Sequence, residues 1–213
     1  MQLRWQADTL EAMRYEPLNN RLRVSHAALL SPFYHPDASE LRHANYGGLG
    51  ASFLAHLLLT FMPPDTDVDG GLTSSSWTNT SDIKRRAESL KCPSEFVSNL
   101  ADVVALELSW QALKKAAAAP GATKRHRGRS PPAEFLSIRD SNGETRLYTA
   151  DQVFFLTYCL SRCADYRRLP GHLPAGPDCN AAVRNVHGFA AAFGCRAGSQ
   201  MAPHGTCDIS DVF

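Results

Sequence analysis

The chain has 213 residues, 22 Lys plus Arg against 21 Asp plus Glu, a formal net charge of +1 and 44% hydrophobic residues. That length suits one domain, able to bury about 70% of its unfolded surface, and the apolar content excludes a mostly disordered chain. Near-neutral charge provides no global field to recruit nucleic acid or an anionic membrane.

Residues 1–16 carry Leu3, Trp5, Leu10 and Met13 at spacings that predict a short helix. The first 24 residues also hold Arg4, Asp8, Glu11, Arg14 and Glu16, where a signal peptide needs an apolar core. Either the chain stays in the cytosol or its true start lies upstream. Asn19-Asn20 marks a turn, and Arg21 to Val24 alternates as a short strand. Pro32 to Pro36 forms an aromatic loop, after which Gly47-Gly48 opens a helix from about Leu49 to Phe61. This helix is apolar nearly all round and is expected to be buried; Pro63-Pro64 stops it. The apolar run Leu49 to Met62, interrupted by His56, falls short of the roughly twenty residues of a membrane span.

Residues 65–80 are rich in Asp, Gly, Ser and Thr and are expected as loop, followed by a charged surface helix over Asp82–Leu90. Phe96 to about Ala118 predicts a long helix with an apolar stripe. A Pro-, Gly- and Arg-rich insert, about 119–133, then carries Lys124, Arg125, His126, Arg127 and Arg129. Without interleaved aromatics, this basic run is a solvated loop rather than a nucleic-acid site. Asp151 to Tyr166 predicts a helix, 171–179 a loop and Val186–Phe193 a short helix. The fold class is therefore mainly α with minor β.

Six cysteines, at 92, 159, 163, 179, 195 and 207, include no CxxC pair. They fit an oxidised framework better than a zinc knuckle or free buried thiols. Six cysteines allow fifteen pairings. An oxidised framework also argues against Cys159 or Cys163 acting as a nucleophile beside His172. The chain has no Gly-x-Ser-x-Gly elbow, Walker loop or dinucleotide fingerprint.

Asn45-Tyr46-Gly47-Gly48-Leu49-Gly50 before an apolar helix resembles the Asn-Tyr-Gly-Gly-Ile-Gly lead-in of the neprilysin / endothelin-converting enzyme family of zinc metallopeptidases. Tyr15 to Tyr34 is similar to that family's strand and Pro-Pro-Phe-Phe segment. Asn99-Leu100-Ala101-Asp102 resembles its Asn-Ile-Ala-Asp, and Gln152-Val153-Phe154-Phe155-Leu156 its Gln-Leu-Phe-Phe-Leu helix. Arg184-Asn185, Phe189, Ala192-Phe193-Gly194-Cys195, Met201, Pro203 and Cys207 resemble its C-terminal tail. The resemblance implies a zincin-like (thermolysin-like) catalytic lobe over 15–213, preceded by a helical remnant at 1–14 and lacking the family's large upstream lobe. It further implies an extracellular protein or ectodomain, with no signal or anchor in this chain.

Such enzymes hold zinc with His-Glu-x-x-His, whose histidines share one helix face while the glutamate activates water. Here the window is Ala55-His56-Leu57-Leu58-Leu59. Alkyl groups at Ala55 and Leu59 cannot donate a lone pair to zinc, and His56 occupies the general-base position. The third ligand position is Ser98; Asp102 matches the aspartate that supports a ligand histidine. His172 matches the oxyanion-stabilising histidine, while Asp178 occupies the substrate-binding arginine position and Ala12-Met13 that of the substrate-anchoring Asn-Ala pair. No histidines are spaced i, i+4 on a helix to rebuild a metal site, and His56 on its apolar helix reads as a satisfied core histidine.

The resemblance also implies the disulfide Cys92–Cys207. Cys159 and Cys179 have no general family counterpart and are natural partners for one another. Cys163 and Cys195, whose family partners lie upstream, are orphaned or bond each other, the latter requiring Cα atoms within about 7 Å. The expectation is an inactive peptidase-like protein, with no cofactor, that binds a peptide or protein in the old cleft. A zinc endopeptidase with a rebuilt site and a truncated remnant without function are the alternatives.

Overall fold

The computed structural model describes residues 12–16, 19–36, 41–58, 80–90, 92–94, 96, 99–118, 135–139, 142–162, 179–203 and 207. Two antiparallel hairpins accompany a mainly helical body. Strands β1 (Met13–Glu16) and β2 (Arg21–Val24) pair in register, Met13 opposite Val24 and Glu16 opposite Arg21. Glu16 receives Arg21 Nε and Nη2 at 3.0 and 2.8 Å across the turn. The Arg21 hydrogen bond is the main reason its carboxyl lies below the usual carboxylate range.

The helical spacing read over 1–16 is therefore corrected at its end. Residues 13–16 are strand, because pairing with the alternating Arg21–Val24 segment satisfies their backbone and buries Met13, 5% exposed. The rest of that predicted helix, and nearly all of the proposed 1–14 unit, lies outside the described residues.

A helical path begins earlier than expected. Helix α1 (Arg42–Asn45) passes into a π turn (Tyr46–Gly50) and then helix α2 (Ala51–Leu58). Gly47 and Gly48 thus lie inside the helical path instead of preceding it. The Leu49 N–H donates to the Phe33 carbonyl at 2.7 Å, a tertiary bond within the widened turn. Bare glycine is required there: a Cβ on Gly47 would lie 2.0 Å from the Phe154 carbonyl oxygen, and one on Gly48 2.6 Å from that of Phe33.

Helix α3 (Thr80–Ser89) inserts Ala87 into the core, and α4 (Leu100–Ala118) runs through its centre. A second hairpin, β3 (Phe135–Arg139) with β4 (Thr145–Thr149), turns near Asn142-Gly143. The sequence reading assigned no strands there, although Ser141-Asn142-Gly143 carries a turn signal and Gly143 adopts φ +81°. Helix α5 (Ala150–Ser161) follows directly. Thr149 accepts from the Gln152 N–H at 3.2 Å, and the Thr149 N–H donates to Gln152 Oε1 at 2.9 Å, a reciprocal cap. Short helices α6 (Cys179–Val183) and α7 (Phe189–Phe193) complete the body.

The core lies where α4, α5 and α7 meet. Trp110 packs 5.1 Å from Phe154 and 5.0 Å from Phe155, while Phe155 meets Phe189 edge-on at 5.2 Å. Such pairs add roughly 0.5–1.5 kcal/mol each beyond their buried area. Disulfides Cys92–Cys207 and Cys159–Cys179 are formed, with Cα separations of 5.5 and 5.3 Å. Of the two alternatives left for Cys195, the orphaned one holds. Cys195 is a free, half-buried thiol, and Cys163 lies outside the described residues.

Candidate functional site

Helix α2 packs along α4, with hairpin β1–β2 beside α2 and helix α5 against the π turn. This assembly is set by small residues. Ala51, Ser52 and Ala55 form the buried side of α2, and Ser109 of α4 donates its hydroxyl to the Tyr46 carbonyl at 2.7 Å. Asn45 clamps the approach loop: its Oδ1 accepts from the His35 N–H at 2.7 Å and its Nδ2 donates to the His35 carbonyl at 2.8 Å.

Ala55 is 6% exposed, so its methyl is part of the packing. His56 is half-buried, and its Nδ1 donates to the Ser52 carbonyl one turn earlier at 2.8 Å. The expectation that α2 is buried nearly all round does not hold. Phe53 and Leu57 are 41% and 36% exposed, an apolar edge one helical turn apart. The sequence misleads here because an all-apolar helix offers no polar stripe to mark which side meets solvent.

On α4, Asp102 forms an ion pair with Arg162, which follows α5, both side chains largely buried. The Arg162 guanidinium lies 5.1 Å from the Tyr158 ring centroid. Burial is the main cause that raises the Tyr158 phenol above its ordinary value, keeping it neutral. Asp102, read as the support of a ligand histidine, is thus held by a guanidinium instead. Local spacing carries no signal for this partner, because Arg162 is sixty residues away.

A second buried carboxylate has no mark in the sequence. Glu107, 3% exposed, accepts from Gln111 Nε2 at 2.9 Å and from the His187 backbone N–H at 2.8 Å. It joins α4 to the loop before α7.

The anchor positions are occupied by the hairpin itself. The Ala12 carbonyl accepts from the Ser25 N–H at 3.0 Å and its hydroxyl at 3.3 Å, while Met13 is buried opposite Val24. Leu59, Ser98, His172 and Asp178 lie outside the described residues. Of the predicted site positions, the structure therefore places Ala55, His56 and Asp102 on the packed α2–α4 pair, with Ala12-Met13 on the adjacent hairpin. Among the described residues, no three His, Cys, Asp or Glu side chains are grouped to hold a metal ion, and no helix is long and apolar enough to cross a membrane. At the junction of α1, α4 and α5, His43 Nε2 lies 3.7 Å from Asp151 Oδ1 and Lys114 Nζ 2.6 Å from the same oxygen. No protein-family model, curated protein or solved structure matches the chain.

Proposed function

We propose that this chain is a binding module on a neprilysin-like, zincin-type metallopeptidase lobe whose peptidase chemistry has been lost. The observation that carries the reading is the state of the α2–α4 pair. Its aspartate is neutralised by Arg162, and the neighbouring helix presents the methyl of Ala55 where the resemblance calls for an imidazole. A methyl donates nothing to zinc, and a carboxylate paired with a guanidinium is not available to orient a ligand histidine. The order of hairpin, glycine-bearing turn, α2 and α4 supports the same lineage. The disulfides Cys92–Cys207 and Cys159–Cys179 suit an extracellular compartment.

The ligand is a peptide or protein segment, with the exposed Phe53 and Leu57 as its apolar footing beside β1–β2. Zinc titration and a peptide-cleavage library on the purified chain test the reading. Less than about 0.1 zinc per chain and no cleavage are expected; stoichiometric zinc or any zinc-dependent cleavage overturns it. The combined variant Ala55→His, His56→Glu, Leu59→His and Ser98→Glu is expected to gain zinc.

A further inference from the structure

We infer that Asn142 is a self-modifying site: its side-chain amide condenses with the backbone nitrogen of Gly143, and the β3–β4 turn converts to isoaspartate and aspartate. Asparagine is a chemically labile residue. Among the asparagines of the chain, only Asn142 precedes a glycine. Any other residue at 143 would carry a Cβ beside the attacking nitrogen; glycine leaves the approach to the Asn142 amide carbon open.

The fold keeps this pair accessible. The last rung of the β3–β4 ladder is Arg139 opposite Thr145, so Asn142 and Gly143 stand beyond the paired strands, and both are exposed. Gly143 adopts φ +81°, and a Cβ built on it meets nothing within 4 Å. Other asparagines are held. Asn45 has both ends of its amide on the His35 backbone. Asn185 is 8% exposed, and its Nδ2 donates to the Ala181 carbonyl at 2.7 Å. Ring closure requires the amide carbon to swing onto the following nitrogen, and these bonds must break first.

The step balances with water as the co-reactant. The Gly143 nitrogen gives its proton to solvent hydroxide and attacks Asn142 Cγ. The N–Cγ bond forms, the Cγ–Nδ2 bond breaks, and ammonia leaves with a proton from solvent. Water then opens the cyclic imide. Opening at Cγ gives aspartate; opening at the main-chain carbonyl gives isoaspartate. Nothing is oxidised or reduced. Isoaspartate lengthens the main chain by a carbon between the ladder ends. Either product adds negative charge at the tip, where Arg139 Nε already donates to the Gly143 carbonyl at 3.1 Å.

Peptide mapping tests it. Cleavage after Arg139 and Arg146 isolates Asn142, and cleavage after Arg184 and Arg196 isolates Asn185 as an internal reference. The folded chain is held at mildly alkaline pH and digested in heavy-oxygen water, which marks any conversion during digestion. Isoaspartate is counted with an isoaspartate methyltransferase. Conversion at Asn142 is expected to be at least about tenfold faster than at Asn185 and within about tenfold of its rate in the urea-unfolded chain. Hydroxylamine, which cleaves the imide, is expected to split the folded chain between residues 142 and 143. A smaller lead over Asn185, or a folded-chain rate more than about tenfold below the unfolded one, would show the turn to be protected and overturn the proposal. The Asn142→Gln chain is expected to yield neither isoaspartate nor hydroxylamine cleavage; products that persist would place the reaction elsewhere and likewise overturn it.

Discussion

The α4–α5 interior and the β1–β2/α2 face use apolar side chains in opposite ways. In the interior, Trp110, Phe154, Phe155 and Phe189 interlock at centroid distances near 5 Å. Helix α5 is fixed at its start by the Thr149–Gln152 cap and near its end by Cys159–Cys179. On α2, Phe53 and Leu57 are exposed, and after the hairpin so are Leu29 and Leu30. The contrast teaches that the apolar residues that hold the fold together and those left exposed lie on different surfaces of one small body. The interior has no room to vary; the outer face has apolar area that folding does not use.

The largest expected effect lies in the interior. Gly47→Ala would drive a Cβ to 2.0 Å from the Phe154 carbonyl oxygen, and the atoms it meets are all backbone of Phe154. A loss of about 3 kcal/mol or more is expected by urea unfolding; a loss under about 1 kcal/mol would mean that α5 and the π turn are not packed as described. Asp102→Ala comes next, removing the carboxylate that pairs with the part-buried Arg162 guanidinium. About 1–3 kcal/mol is expected, and a double-mutant cycle with Arg162→Ala should show the two losses to be strongly non-additive.

A smaller effect depends on pH. Burial holds the His43 imidazole below its ordinary 6.5, with Asp151 opposing the shift and Lys114 and Arg42 reinforcing it. The unfolded chain therefore binds this proton more readily than the folded one. The resulting stability is fully present above about pH 6.5 and is lost as pH falls through the lower folded-state value. Unfolding measured between pH 7 and pH 5 should be less pH-dependent in His43→Gln; an unchanged slope would remove His43 as the cause. The smallest stability change is expected on the outer face. Phe53→Ser with Leu57→Ser should alter unfolding by less than about 1 kcal/mol while lowering capture of peptides by the folded chain. If the pair instead unfolds the protein, this face belongs to the core and the contrast fails.

Much of this was legible in the chain. Helices α4 and α5 are readable from their apolar runs, whereas the Thr149–Gln152 cap that starts α5 emerges only in the structure. The β3–β4 hairpin was not read, because its strands mix exposed polar and apolar residues without a clean alternation. Gly47-Gly48 is visible in the chain but its place is not: glycine signals a backbone requirement without saying whether the cause is a turn or a close neighbour.

The sequence by itself determined the donor chemistry: alkyl groups stand at positions 55 and 59 whatever the fold, because a side chain's lone pairs are a property of its residue type. For the cysteines it left fifteen pairings open, and only the resemblance pointed to Cys92–Cys207. Only tertiary structure decided that Asp102 meets Arg162, that Glu107 holds the His187 backbone, and that Cys195 remains a thiol. These turn on contacts between residues far apart in the chain, and local spacing carries no information about which distant groups packing will bring together.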